Sequence, residues 1–106
     1  MITVAISAGR NIGPHPMDQE EWDRLRSAVA RAMESVNASI FTRDAIGYGE
    51  WIGDDGVTIK EESVTYVGAV QDGALEDLKR GLQLITKQFN QDAIALIVGE
   101  SLLVRG

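Results

Sequence analysis

Ile2, Val4 and Ile6 alternate with Thr3, Ala5 and Ser7, the two-residue period of a strand with one apolar face. After Asp18 the period changes. Trp22, Leu25, Val29, Ala32, Met33 and Val36 share one stripe of a helix, the pattern of an element that covers a core on one side. Asp18 stands three residues before Glu21, the spacing of a capping box. Glu20, Glu21 and Asp23 crowd the first turn, where the helix dipole favours negative charge. Residues 38–52 and 57–70 predict two strand regions, joined at Asp55-Gly56 by a two-residue hairpin turn. Asp72 then caps a second helix with the stripe Leu75, Leu78, Leu82, Ile85 and Phe89, and Glu76 lies at ion-pair spacing from Arg80. Ala93 to Val98 reads as a buried strand, which Leu102 to Val104 continue or follow with a short extra strand.

The order β-α-β-β-α-β, with two helices of similar length each followed by a strand, predicts an α+β, ferredoxin-like fold. Its antiparallel sheet carries both helices on one face and leaves the other to water or a partner. The pattern shows no linker, low-complexity segment or repeat, so residues 1–106 are expected to form a single domain.

A two-residue turn at Asp55-Gly56 sets Ile52 opposite Ile59, Trp51 opposite Lys60 and Glu50 opposite Glu61. The first pair is apolar, and the second places an ammonium over an indole. The third sets two carboxylates face to face, which is unfavourable. Val57 and Ile59 occupy odd positions, whereas Val64 and Tyr66 occupy even ones. A β-bulge at Glu61-Glu62 would restore a single apolar face. The hairpin is then either a bent, solvated acidic arm or a polar site of Glu50, Trp51, Glu61 and Glu62. It lacks the alternating ligands of a calcium loop.

Composition narrows the functional classes. The 106 residues are 44% hydrophobic and 25% charged, enough for one core without staples. Cysteine is absent, which excludes disulfides, thiolate metal sites and thiol nucleophiles. The start MITVAISAGR shows no signal-peptide pattern, and Ala93–Val98 is far shorter than the ~20 residues of a membrane span. A cytoplasmic location and no membrane partner are expected. With a net charge of −6 and ten scattered Lys and Arg residues, direct nucleic-acid binding is not expected either. An acidic surface still suits a basic protein partner.

Both prolines and the only histidine fall in the opening stretch SAGRNIGPHP, residues 7–16. Gly9-Arg10-Asn11-Ile12-Gly13 lies between strand and helix, where phosphate loops occur. It matches neither G-x-G-x-x-G nor a Walker A run. Proline supplies no donor and the helix start is acidic, so an anion would depend on Arg10, Asn11 and loop amides, assisted by Arg43. One histidine, His15, excludes a histidine-based zinc cluster. The serines lack a G-x-S-x-G context. No metal or cofactor is expected, and the chain leans away from enzymes, although paired-carboxylate catalysis by Glu50 and Glu61 stays open.

The strings AGRNIG, DQEEW, GEW, EES, QDAIAL and GES together resemble small ferredoxin-like proteins of actinobacteria and their phages. The chain is also similar to a bacterial family built as strand, helix, G-x-W hairpin, helix and final strand. The resemblance spans most of the chain and implies architecture and a phage setting, but no site. The sequence therefore points first to a small non-catalytic binding module, homodimeric through its open sheet face. It would take a small polar or nucleotide-like ligand at the sheet edge or dimer seam. Arg10, Asn11 and Arg43 would meet an anionic group, Trp51 would stack, and Glu50 would accept donors. In a phage setting, this becomes sequestration of a host signalling nucleotide. The alternatives are an acidic inhibitor of a host protein and a carboxylate enzyme using Glu50 and Glu61.

Overall fold

A computed structural model describes residues 1–100, 102 and 104. The first strand, β1 (Ile2–Gly9), places Val4, Ile6 and Ala8 in the core, as its alternation predicts. Two short strands, β2 (Asn11–Ile12) and β3 (His15–Pro16), make a small hairpin of the opening loop. Gly13 turns it with a φ of +57°, in the left-handed region that glycine tolerates.

Helix α1 (Gln19–Ser35) starts at Asp18, whose carboxylate accepts the Glu21 amide at 2.8 Å. Trp22, Leu25, Val29 and Met33 are buried along it, each contributing roughly 1.5–3 kcal/mol by leaving water. Asn37 stops the helix with a φ of +56°, and the Ala38 amide donates back to Met33 O at 3.1 Å.

Strands β4 (Ser39–Ile52) and β5 (Thr58–Val70) form a long hairpin. Helix α2 (Leu75–Gln88) follows a 3-10 turn at Asp72–Ala74. Strand β6 (Ala95–Glu100) begins two residues later than its apolar run predicts. The sheet order is β4-β5-β1-β6, and every neighbouring pair is antiparallel. This is the ferredoxin-like α+β arrangement. Both helices bury their stripes against one face, and the buried residues form one cluster. The continuation expected over Leu102 to Val104 lies outside the described residues, apart from Leu102 and Val104 themselves, which are exposed.

Four local expectations are corrected. The hairpin does not turn at two residues. Its loop runs from Gly53 to Val57, closed by Gly53 N–H to Val57 O at 3.0 Å, with Gly56 at φ +79°. The register therefore slips by one: Glu50 faces Lys60, Trp51 faces Ile59, and Glu61 faces Gly49. No bulge lies at Glu61-Glu62; the irregularities are in β4, between Ile40 and Thr42 and between Thr42 and Ala45. Asp72 ion-pairs with the N-terminal amine at 3.4 Å rather than capping α2, whose N-cap, Ala74, offers no side chain. Finally, Glu76 meets Lys79 and Arg80 meets Asp77, both one residue shorter in spacing than the expected Glu76–Arg80 pair.

The register explains the change of apolar parity along β5. Val64 and Tyr66 are fully buried, whereas Lys60 and Thr58 on the same face are exposed. The helical layer ends there, and the hairpin projects beyond it as an arm. With no helix to cover, the even face stops being apolar. Ile59 packs on the opposite face as the cross-strand partner of Trp51.

Candidate functional site

Where the arm leaves the helical layer, the opening loop is fastened to its base. The Arg10 amide donates to Glu62 O at 2.9 Å, and Arg10 Nη1 ion-pairs with Glu62 Oε2 at 3.1 Å. Arg10 Nε donates to Met17 O at 2.8 Å, while its guanidinium lies 5.9 Å from the Trp22 ring centroid. Arg26 approaches the same ring at 5.8 Å. Such contacts contribute roughly 0.5–2 kcal/mol as they lose water. Arg10 thus fastens strand, loop and helix together.

Glu61 and Glu62 are consecutive in β5, so their side chains leave opposite faces of the strand. Glu62 takes Arg10. Glu61 lies over Gly9, where a β-carbon would overlap its carboxylate. Its Oε2 accepts the Asn11 amide at 2.9 Å, and Asn11 O accepts from Gln91 Nε2 at 3.2 Å. The two acids straddle the Arg10-Asn11 segment and set the loop against the arm.

The result is a groove of about 560 Å³, lined by Arg10, Asn11, Pro14, Pro16, Tyr48, Lys60, Glu61 and Glu62. Tyr48, opposite Glu62 in the register, is 81% exposed. The charges in the groove are unequal in their partners. Arg10 neutralises Glu62, and Lys60 reaches Glu50 at 3.4 Å. Glu61 has an amide donor but no cationic partner among the described residues.

Of the residues chosen from sequence, Arg10 and Asn11 come together at this groove. Glu50 touches it only through Lys60. Trp51 is half-exposed on the other face of the arm, so neither stacking on Lys60 nor a shared pocket with Arg10 is formed. Arg43 lies at the β4 irregularity and pairs with Glu34 at 2.7 Å, away from the loop. Glu50 and Glu61 occupy opposite faces of the hairpin, not facing positions, so they form no acid–base dyad. No local sequence pattern marks Tyr48 or Lys60 as a site residue. Their signal was parity: once Glu50 pairs with Lys60, Tyr48 falls on the face that carries Glu62.

A second polar cluster lies at the β4 irregularity. The Tyr66 hydroxyl is 2.6 Å from Asp44 Oδ1 and 2.9 Å from Arg26 O. Burial pushes the phenol well above its ordinary range, and the neighbouring Asp44 carboxylate adds to the rise. Asp44 itself has a φ of +55°, a conformation that Asp adopts more readily than most residues. On α1, hydrogen bonds from Gln19 and Arg26 hold the Asp23 carboxyl below its usual range. The Tyr66 hydroxyl ties α1 to the sheet, the Asp23 contacts stay within the helix, and none of these groups lines the groove. Among the described residues, no three His, Cys, Asp or Glu side chains gather as a metal site. No described helix is long and apolar enough to cross a membrane.

No protein-family model matches the chain, and no curated protein matches it by sequence. Solved structures do. A phage SAM lyase in complex with S-methyl-5'-thioadenosine superposes with a TM-score of 0.60 at 18% identity, over 93% of this chain and 80% of that one. Its apo state gives 0.57 at 20% identity, over 92% and 78%. The C-terminal domain of MgtC from Mycobacterium tuberculosis gives 0.46 at 11% identity, over 98% and 92%. At these identities the likeness is one of fold.

Proposed function

We propose that the groove at the base of the arm binds a nucleoside-like ligand bearing a positive centre, of the adenosyl sulfonium kind. The observation that carries this reading is Glu61. It is a carboxylate set over Gly9 and oriented by the Asn11 amide, with no cation of the protein to neutralise it. Tyr48 lines the same groove from the arm face that carries Glu62, stands exposed there, and offers an aromatic face to a base. A volume of about 560 Å³ falls within the range of small-molecule sites. The fold shared with a phage protein that holds S-methyl-5'-thioadenosine supports the ligand class.

The electrostatics favour a cationic ligand over the anionic one that the sequence suggests. Arg10 is committed to Glu62 and to Met17 O, so a phosphate entering the groove would meet Glu61 with little compensation. Titration calorimetry with SAM, S-methyl-5'-thioadenosine and AMP tests the reading. SAM is expected to bind most tightly and AMP least. Glu61→Gln should weaken SAM at least tenfold and leave the neutral thioether nearly unchanged. Absence of SAM binding at millimolar concentration, or preference for AMP, overturns it.

A further inference from the structure

The two edges of the sheet differ. Edge strand β4 is interrupted twice, carries Asp44 in a left-handed conformation, and holds Arg43 in an ion pair with Glu34. Such interruptions and charges discourage pairing with another chain. Strand β6 has none of these devices. Its sequence from Ala95 to Gly99 is uncharged and proline-free, and its register with β1 is unbroken. Ile97 is 64% exposed and Val98 48%. Among the described residues it pairs with β1 alone, so its outer row of backbone donors and acceptors has no strand to meet.

We propose that β6 is a homodimer edge, pairing antiparallel with β6 of a second copy to join two sheets into one of eight strands. A two-fold axis at Ile97 makes this contact self-complementary. Directly opposed residues share a face, so Ile97 meets its own counterpart on the open face. Leu96 meets the second copy's Val98 on the helical face, twice by symmetry. The same register carries Glu100 of each copy opposite Ile94 of the other. Ile94 borders a cleft of about 180 Å³ lined by Lys79, Leu82, Gln83, Thr86 and Leu96. That lining includes an ammonium, an amide and a hydroxyl but no carboxylate, and Lys79 is held only by an exposed 3.4 Å contact with Glu76. An incoming carboxylate thus finds donors over an apolar floor.

The absence of cysteine gives a clean test. Directly opposed strand residues have α-carbons about 4.5–5.5 Å apart, within disulfide reach. Ile97→Cys should therefore oxidise to a covalent dimer under mild conditions. In sedimentation, the unmodified protein should be dimeric at micromolar concentration. Val98→Lys should raise its dissociation constant at least tenfold with an unchanged circular-dichroism spectrum, and Glu100→Gln should raise it several-fold. Thr65→Arg, on the middle of the open face, should leave the dimer intact. A monomer at all concentrations overturns the proposal. So does a dimer lost with Thr65→Arg but kept with Val98→Lys, the result expected of pairing through the open face. Failure of Ile97→Cys to cross-link a demonstrable dimer also overturns it.

Discussion

Strand β5 passes through two environments within thirteen residues. From Val64 to Val70 it runs beneath the helices, and every even position is buried. From Thr58 to Glu62 it belongs to the arm, where among the described residues its only strand partner is β4 and its side chains are exposed or half-buried. The backbone pairing is continuous across the boundary. What changes is the layer above it. Hydrogen bonds alone contribute little net stability because the unfolded chain makes them with water, so the two halves should differ sharply in how they respond to substitution.

Trp22→Ala tests the covered half most severely. It empties the largest buried side chain and removes the ring that Arg10 and Arg26 approach. A loss of about 3–5 kcal/mol is expected in denaturant unfolding. Gly68→Ala should cost about 3 kcal/mol, because a β-carbon there meets the Ser39 backbone oxygen and the Met33 methyl. The backbone oxygen cannot step aside as a side chain can. An effect below 1 kcal/mol at either position would erase the distinction between the halves.

Tyr66→Phe should cost about 1–2 kcal/mol, since it removes the hydrogen bonds to Asp44 and Arg26 O. It also carries a pH signature. The phenol is raised above its ordinary value of 10.0 in the folded chain. Its contribution is therefore full below pH 10 and declines as the unfolded state ionises above it. Stability should fall with rising pH in that alkaline range, and Tyr66→Phe should flatten the slope.

In the arm, Trp51→Ala should shift stability by no more than about 0.5 kcal/mol. Hydrogen exchange refines the comparison without mutation: amides from Thr58 to Glu62 should exchange well before those from Val64 to Val70. Equal protection on both sides of Ser63 would mean that the arm is covered in solution.

The covered half was legible in the sequence because burial imposes a period. Leu25, Val29 and Met33 mark the helix that Asp18 caps, and Val4 and Ile6 mark the strand beneath it. The arm obeys no such period, so in the sequence only Asp55-Gly56 speaks to its register. That dipeptide turns within a longer loop, and the one-residue error turned a Glu50–Lys60 pair into a clash of acids. The β4 irregularities escaped for a related reason. Asp44 satisfies its left-handed geometry through Tyr66, which is 22 residues away. At the groove, Arg10 and Asn11 stood out in a glycine-flanked loop. Their partners Glu62 and Glu61 lie 52 and 50 residues further along, a distance that no local pattern spans.

The strand order also has a consequence in time. Strand β1 is central, with Ile2 facing Val70 on one side and Glu100 on the other. During synthesis it emerges before either neighbour exists, and it gains its last one only when β6 is complete. Pairings of such long sequence separation slow folding. A nascent chain halted before β6 would carry Val4 and Ile6 on an open edge, a ready template for chaperones or for its own aggregation.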